Sequence, residues 1–287
     1  MAIGNQIRTV FLLGLLTALL LWVGKLIGGT QGLFFGLVFA IIMNFGAYWF
    51  SDKLVLAIYR AKPVTEKQQP KLHKIVKEIA QEANIPLPKV YIVPGPIANA
   101  FATGRNYKHA AVAATEGILS LLNEHELKGV IAHEISHIKN RDTLIQAVAA
   151  TIAGVISYIA MLARWSALFG VGGRDNERSG SGLELLVLAV LTPILATLIQ
   201  LAISRSREFL ADASGAKILK DGKGLASALE KLESASKQIS LKPSGITETT
   251  AHIFIVSPFQ KMRGFASFFL THPSTKTRVE RLRAMKF

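Results

Sequence analysis

Two uncharged apolar runs near the N-terminus constrain this chain more than any other feature. Val10 to Gly24 carries no charge, and after Lys25 the apolar pattern resumes from Gly32 to Phe50. Each approaches the ~20 residues a helix needs to cross a ~30 Å hydrocarbon layer. They read as a transmembrane helical hairpin over residues 1–53 rather than a cleaved leader. No small-residue cleavage site stands cleanly after the first run, and a second follows almost at once. The whole composition agrees, since 287 residues that are 50% hydrophobic and 18% charged are too apolar for an ordinary soluble enzyme of this size.

Two further apolar runs, Thr143 to Ala163 and Leu185 to Ile203, are joined by a loop containing Gly170, Gly172, Gly173 and the Ser179 to Gly182 stretch. Four spans result, although Gln146, Arg164, Pro193 and Gln200 in or beside the later runs would also suit buried helices of a large core. Lys53, Arg60, Lys62, Lys139, Arg141, Arg205 and Arg207 border the spans on what four crossings make one side, which the positive-inside bias assigns to the cytoplasm. Lys25, Arg164, Arg174 and Arg178, partly offset by Asp175 and Glu177, fall on the other.

The net charge of +14 comes from 33 Lys and Arg against 19 Asp and Glu. These basic residues are scattered, as in Lys71, Lys74 and Lys77 or Arg278, Arg281 and Arg283, without the interleaved aromatics of a nucleic-acid platform. No nucleic-acid partner is expected; the bilayer is. The absence of cysteine excludes a disulfide framework, a thiol nucleophile and Cys-ligated metal, so any metal must be held by His and carboxylates.

Between the second and third runs the pattern turns polar. Leu72, Ile75, Val76 and Ile79 have helical spacing after Thr65 and Glu66, which can open a helix. Pro86 and Pro88 end it, and Val90 to Val93, Ala100 to Thr103 and Ala111 to Ala114 read as strands of a small sheet. Asn123 with Glu126 forms a capping box for a second helix, along which Leu127, Val130, Ile131, Ile135 and Ile138 recur at helical spacing.

That helix carries His133-Glu134-Ile135-Ser136-His137, the H-E-x-x-H arrangement. Two imidazoles four residues apart project from one helix face and can take adjacent corners of a zinc tetrahedron, while Glu134 stands beside the metal. There it can take a proton from water that the metal has made acidic and pass it to a leaving amine. The bland alternative is a pair of surface histidines flanking a helix glutamate.

A catalytic zinc requires a third ligand. Asn140 and Thr143 stand where a metzincin has Gly and His, and no acid occurs between Asp142 and Asp175, so nearby ligands fail. Of the remote candidates Asp175, Glu177, Glu184 and Glu208, only Glu208 lies on the same side as the H-E-x-x-H helix if the later runs form a hairpin that leaves and returns. Asp212, one turn on, can accept from the free ring nitrogen of a ligand histidine and fix its tautomer.

The chain resembles the HtpX family of membrane-bound zinc metalloproteases, relatives of the CAAX prenyl endopeptidases. The resemblance rests on the apolar hairpin, Asn99-Ala100-Phe101-Ala102-Thr103-Gly104, the His133 to Asp142 block HEISHIKNRD, Ser204 to Asp212 reading SRSREFLAD, and Thr271-His272-Pro273. It implies a mainly α, multi-pass protein of the cell (inner) membrane with four transmembrane helices and a zincin-like α+β catalytic domain split into residues 54–142 and 204–287 around a second hairpin, residues 143–203. It also implies one zinc ion per subunit on His133, His137 and Glu208, with Glu134 as general base. The implied activity is a gluzincin endopeptidase facing the cytoplasm, taking membrane protein or polypeptide substrates in quality control and stress response. Asn99 to Thr103 looks like the edge strand that would hold an extended substrate through its main chain, or else a core strand. His272 suits an oxyanion donor, a fourth zinc ligand or a turn residue. His73, His109, His125 and His252 lack ligand spacing to any partner, and the apolar run Ile253 to Phe259 with Phe265, Phe268 and Phe269 suits either the bilayer or an ordinary packing surface. A metal-free scaffold that binds clients is the rival reading, which the intact Glu134 and Glu208 oppose. An intramembrane protease is another, opposed by Lys139, Asn140, Arg141 and Asp142 beside the motif. No sequence feature sets an oligomeric state.

Overall fold

Helix α1 (Ala2–Trp49) is two helical arms joined by a kink at Gly28 and Gly29 in the computed structural model, which describes residues 2–149, 151–152, 155–156, 205–238 and 273–287. The stretches Ile7–Leu26 and Gly28–Trp49 are each long and apolar enough to cross a membrane, and Phe34, Phe35, Phe39, Ile41, Ile42 and Phe45 point outward, as lipid-facing residues would. The arms touch backbone to backbone. A β-carbon at Gly24 would stand 2.3 Å from the Gly32 carbonyl oxygen, so only glycine lets them approach this closely. Across the arms Asn44 Nδ2 donates to Thr17 Oγ1 at 2.7 Å.

Two candidate spans stand among the described residues. The end of the third run and all of the fourth, together with Asp175, Glu177 and Glu184, lie outside them. The start of the third is helical, and its Ile145, Val148, Ala149, Ile152 and Ile156 form an apolar cluster with Leu12, Leu16, Leu19, Leu20 and Ala40 of the hairpin.

Helix α2 (Ser51–Ile58) leads from the hairpin to a four-stranded sheet of β1 (Lys62–Pro63), β2 (Lys89–Val93), β3 (Ala100–Thr103) and β4 (Ala111–Thr115), in the order β1-β2-β4-β3. β2 and β4 are parallel, whereas β1 and β3 join antiparallel at the two edges. The two-residue β1 gives no periodic signal, and its Pro63 is tolerated because an edge strand can spare an N–H. One face turns Val90, Ile92, Ala100, Ala102, Val112 and Ala114 into the main core. The other packs Val93, Phe101, Ala111 and Ala113 with Val55 and Leu56 of α2 and with Ala147, and the Tyr59 and Phe101 rings meet at 4.9 Å. Strand alternation thus packs one face of the sheet into the main core and the other against α2 and Ala147.

Further helices among the described residues are α3 (Pro70–Glu82), α4 (Glu116–Leu121), α5 (Glu124–Lys139), α6 (Arg205–Leu219), α7 (Lys223–Gln238) and α8 (Thr275–Ala284). α3 starts later than Thr65 and Glu66 indicate. The Thr65 backbone N–H and hydroxyl both donate to Gln68 Oε1 in a turn, and Pro70 opens the helix where a missing N–H costs nothing. α5 is the central helix, flanked by β3, α3, α6 and α7, and is buried from Glu126 to Ile138 except for the partly exposed Lys128.

Candidate metal centre

The N-terminus of α5 is fixed before its chemistry begins. Asn123 Oδ1 accepts from the Glu126 N–H at 2.9 Å, and the Asn123 N–H donates back to Glu126 Oε2 at 3.0 Å. Ser227 and Lys231 of α7 also donate to Glu126, at 2.7 and 2.8 Å, which ties that turn to its neighbour. Two turns on, His133 and His137 point from one face, their Nε2 atoms 3.2 Å apart. Glu208 arrives from α6, with Oε1 3.5 Å from His137 Nε2 and Oε2 3.7 Å from His133 Nε2. One ligand atom from each of these three buried residues lies within 4.8 Å of the others, a spacing that suits a shared cation.

A carboxylate stands beside each outer nitrogen. His133 Nδ1 lies 2.9 Å from Asp212 Oδ1 and His137 Nδ1 lies 3.2 Å from Asp142 Oδ2. Carboxylates in these places favour the proton on Nδ1 and turn the Nε2 atoms toward the common space. Asp142 reaches this position because α5 ends in a Schellman turn. The Asp142 N–H donates to the His137 carbonyl at 2.9 Å and the Arg141 N–H to that of Ile138 at 3.0 Å, with Arg141 at φ 60.

Charge supports the same conclusion. The buried carboxylates Glu134, Asp142, Glu208 and Asp212 gather with the buried guanidiniums of Arg207 and Arg278. The carboxylates outnumber the guanidiniums in this cluster, an excess of acid that a bound cation would offset. Burial alone would lower His137, but Asp142, Glu208 and Glu134 raise it to about 9. Burial likewise works against Asp212, yet the Arg278 charge and the bonds from His133 and Arg278 keep it at about 2. Glu134 goes the other way: burial raises it above the ordinary carboxylate range despite the opposing pull of both histidines. Its Oε2 accepts the Ala102 N–H of β3 at 2.8 Å.

β3 forms an edge of the sheet, and Asn99 extends its pairing: the Thr115 N–H donates to the Asn99 carbonyl and the Asn99 N–H to Thr115 Oγ1, both at 2.9 Å. Ala100, Phe101, Ala102 and Thr103 are all buried, Phe101 in the cluster with α2 and Ala100 and Ala102 in the main core. His272, His252 and the apolar segment containing Ile253 to Phe259, Phe265, Phe268 and Phe269 lie outside the described residues. His73 bonds to the Val64 carbonyl oxygen, His109 to Asn106 and His125 to Asp221, none of them near the centre.

Asp142, Arg207 and Arg278 are members of this cluster that sequence reasoning passed over. In the sequence the first two look like basic-and-polar flanks of apolar runs and the third like one of three interchangeable arginines.

α6 is held at its distance by a glycine. A β-carbon at Gly215 would lie 2.9 Å from the His133 backbone nitrogen and 3.0 Å from the Ala132 carbonyl carbon. Gly215→Val is expected to push α6, with Glu208 and Asp212, away from α5, costing ~1–3 kcal/mol by overpacking. Zinc affinity should fall with it. Thermal unfolding of the metal-free protein and a zinc titration check both, and wild-type values in each would refute the contact.

A family model described as Peptidase family M48 matches residues 66–286. Among curated proteins, a "Protease HtpX homolog" of Pyrococcus abyssi (strain GE5 / Orsay) is 54% identical over 284 residues, covering 99% of this chain and 96% of that protein. Another of the same description, from Syntrophobacter fumaroxidans (strain DSM 10017 / MPOB), is 49% identical over 285 residues, covering 98% of this chain and all of its own. Among solved structures, "Crystal Structure of S. mikatae Ste24p" aligns with a TM-score of 0.51 at 18% identity, over 98% of this chain and 66% of that one, a likeness of fold.

Proposed function

Because this chain belongs to peptidase family M48 and to its HtpX proteases, which makes it a zinc metalloprotease, we propose that it hydrolyses misfolded or damaged membrane proteins at the His133, His137 and Glu208 centre, on the cytoplasmic side of the cell membrane. The observation that carries the chemistry is the convergence of those three ligand atoms within 4.8 Å, next to a buried carboxylate, Glu134, that is not one of them. Zinc held by the three would supply the Lewis acid that polarises the scissile carbonyl. Glu134 takes the proton of the attacking water and delivers it to the departing nitrogen. Its raised pKa brings it closer to the operating range of a base at neutral pH. Asp212 and Asp142 keep the two imidazoles turned so that Nε2 faces the ion. We assign to β3, the edge strand whose Ala102 N–H meets Glu134, the pairing with an extended polypeptide through the main chain, a mode that accepts many sequences because the backbone makes the bonds.

Support for the side of action comes from the hairpin. Arg105, on the loop after β3, donates to the Trp49 carbonyl at 3.1 Å and lies over the Trp49 ring at 4.5 Å, which seats the site's edge strand at the same end of the spans as Lys53 and Arg60. Reporters fused after Arg60 and after Phe287 should both report cytoplasm, and one at Gly173 the opposite side. A cytoplasmic signal at Gly173 would remove the second hairpin from this reading.

The function itself is tested with the purified full-length protein in detergent, by measuring zinc per chain and cleavage of an unfolded membrane protein before and after chelation. One zinc per chain and chelator-sensitive cleavage are expected. Client binding with neither zinc nor cleavage would instead favour a scaffold.

A further inference from the structure

Helix α8 brings the largest fully buried side chain of the described residues to the edge of the metal centre. Arg278, 1% exposed, donates from Nε to Asp212 Oδ2 at 2.8 Å and from Nη2 to Asp212 Oδ1 at 2.7 Å. Its remaining nitrogen, Nη1, is 3.8 Å from Glu208 Oε2. The neighbouring arginines of α8 do something else: Arg281 lies over the Phe209 ring at 4.1 Å, and Arg283 pairs with the exposed Glu230. Asp212 Oδ1, which receives Nη2, is the same oxygen that stands 2.9 Å from His133 Nδ1. A single oxygen therefore stands between the guanidinium and the His133 imidazole.

We propose that Arg278 is a positioning residue of the metal centre, gripping Asp212 by both oxygens so that this carboxylate aims His133. The inference rests on the ligand set of the proposed function and adds a residue from a third helix. A carboxylate held at one oxygen can still rotate and present a different lone pair to the imidazole. Held at both by a planar fork, it has one orientation left. Lysine carries the same charge but offers no fork, so the role separates geometry from charge. Removing Arg278 alone would leave Asp212 buried without its main counter-charge, and a loss of folding is then the ordinary result. The informative variants are those that avoid this.

The full-length protein in detergent is stripped of metal, then titrated with zinc against a competing chelator and, separately, with Co2+, whose visible bands report the ligand geometry. Arg278→Lys should lower zinc affinity ~10 to 100-fold, the range for groups that orient a ligand, and should alter the Co2+ bands. Asp212→Asn should lower it comparably. The double variant Arg278→Met with Asp212→Asn, which leaves no unpaired charge between the two, should lose no more than Asp212→Asn alone, because Arg278 acts through Asp212. Wild-type affinity and bands in Arg278→Lys would overturn the proposal, and so would losses in the double variant that multiply. If the unaltered protein takes up no zinc, the proposed function fails and this inference with it. If it takes up zinc and the variants match it, only the inference fails.

Discussion

Glu134→Gln should abolish measurable proteolysis while leaving zinc bound. Glu134 is no ligand in the arrangement of His133, His137 and Glu208, so its replacement leaves all three donor atoms in place. The amide oxygen of glutamine can still accept the Ala102 N–H that Glu134 Oε2 holds at 2.8 Å, so the contact between α5 and β3 survives. What disappears is the ability to take a proton, worth ~10² to 10⁴-fold when a general base is removed. Rates on an unfolded substrate and metal analysis should be measured on one preparation. A zinc-loaded variant that cleaves at the wild-type rate would sink the assignment of Glu134 as base.

The second large effect concerns Glu208. Two histidines on one helix leave zinc short of the three protein ligands usual in catalytic sites, and Glu208→Ala also takes a negative charge from beside Arg278. Zinc affinity should fall by well over the ~100-fold upper range expected when Asp212→Asn disturbs only the orientation of His133. The order of the two losses is the test, read by zinc titration against a chelator. Glu177→Gln and Glu184→Gln, on the far side of the later apolar runs in the four-span reading, should leave zinc binding unchanged. Full occupancy without Glu208, or loss without Glu184, would mean that the third ligand has been misassigned.

Which parts of this arrangement could be read from the sequence follows from the distance over which each is specified. The helix of His133 and His137 announces itself within a dozen residues, through Asn123 and Glu126 at its start and apolar positions one turn apart after it. Strands β2, β3 and β4 were legible for a similar reason, as short apolar runs between prolines, glycines and polar residues. The two-residue β1 is too short to show any alternation. Asp142 was not legible because its return to His137 depends on Arg141 adopting a left-handed conformation, for which arginine gives no signal where glycine or asparagine would. Arg278 was hidden for the opposite reason. Nothing in the run Arg278, Arg281, Arg283 separates the buried member from the exposed ones until α8 is laid against α6. Glu208 lies between: it could be reached only by reasoning about which side of a membrane the chain had returned to.

The division of the metal ligands between α5 and α6 has a consequence for how such a chain comes into being. While the ribosome is still making residues 143–203, the H-E-x-x-H helix already exists as sequence but lacks Glu208, the third member of the group that could share an ion. Contacts this far apart along a chain form late, because the loop between them must close before they return any free energy. The nascent polypeptide is thus inert for the interval in which its own unfolded segments, and those of other proteins entering the same bilayer, are most open to cutting. With Glu208 as the third ligand, cleavage would begin only once α6 has docked on α5, and a chain truncated before Glu208 would be inactive.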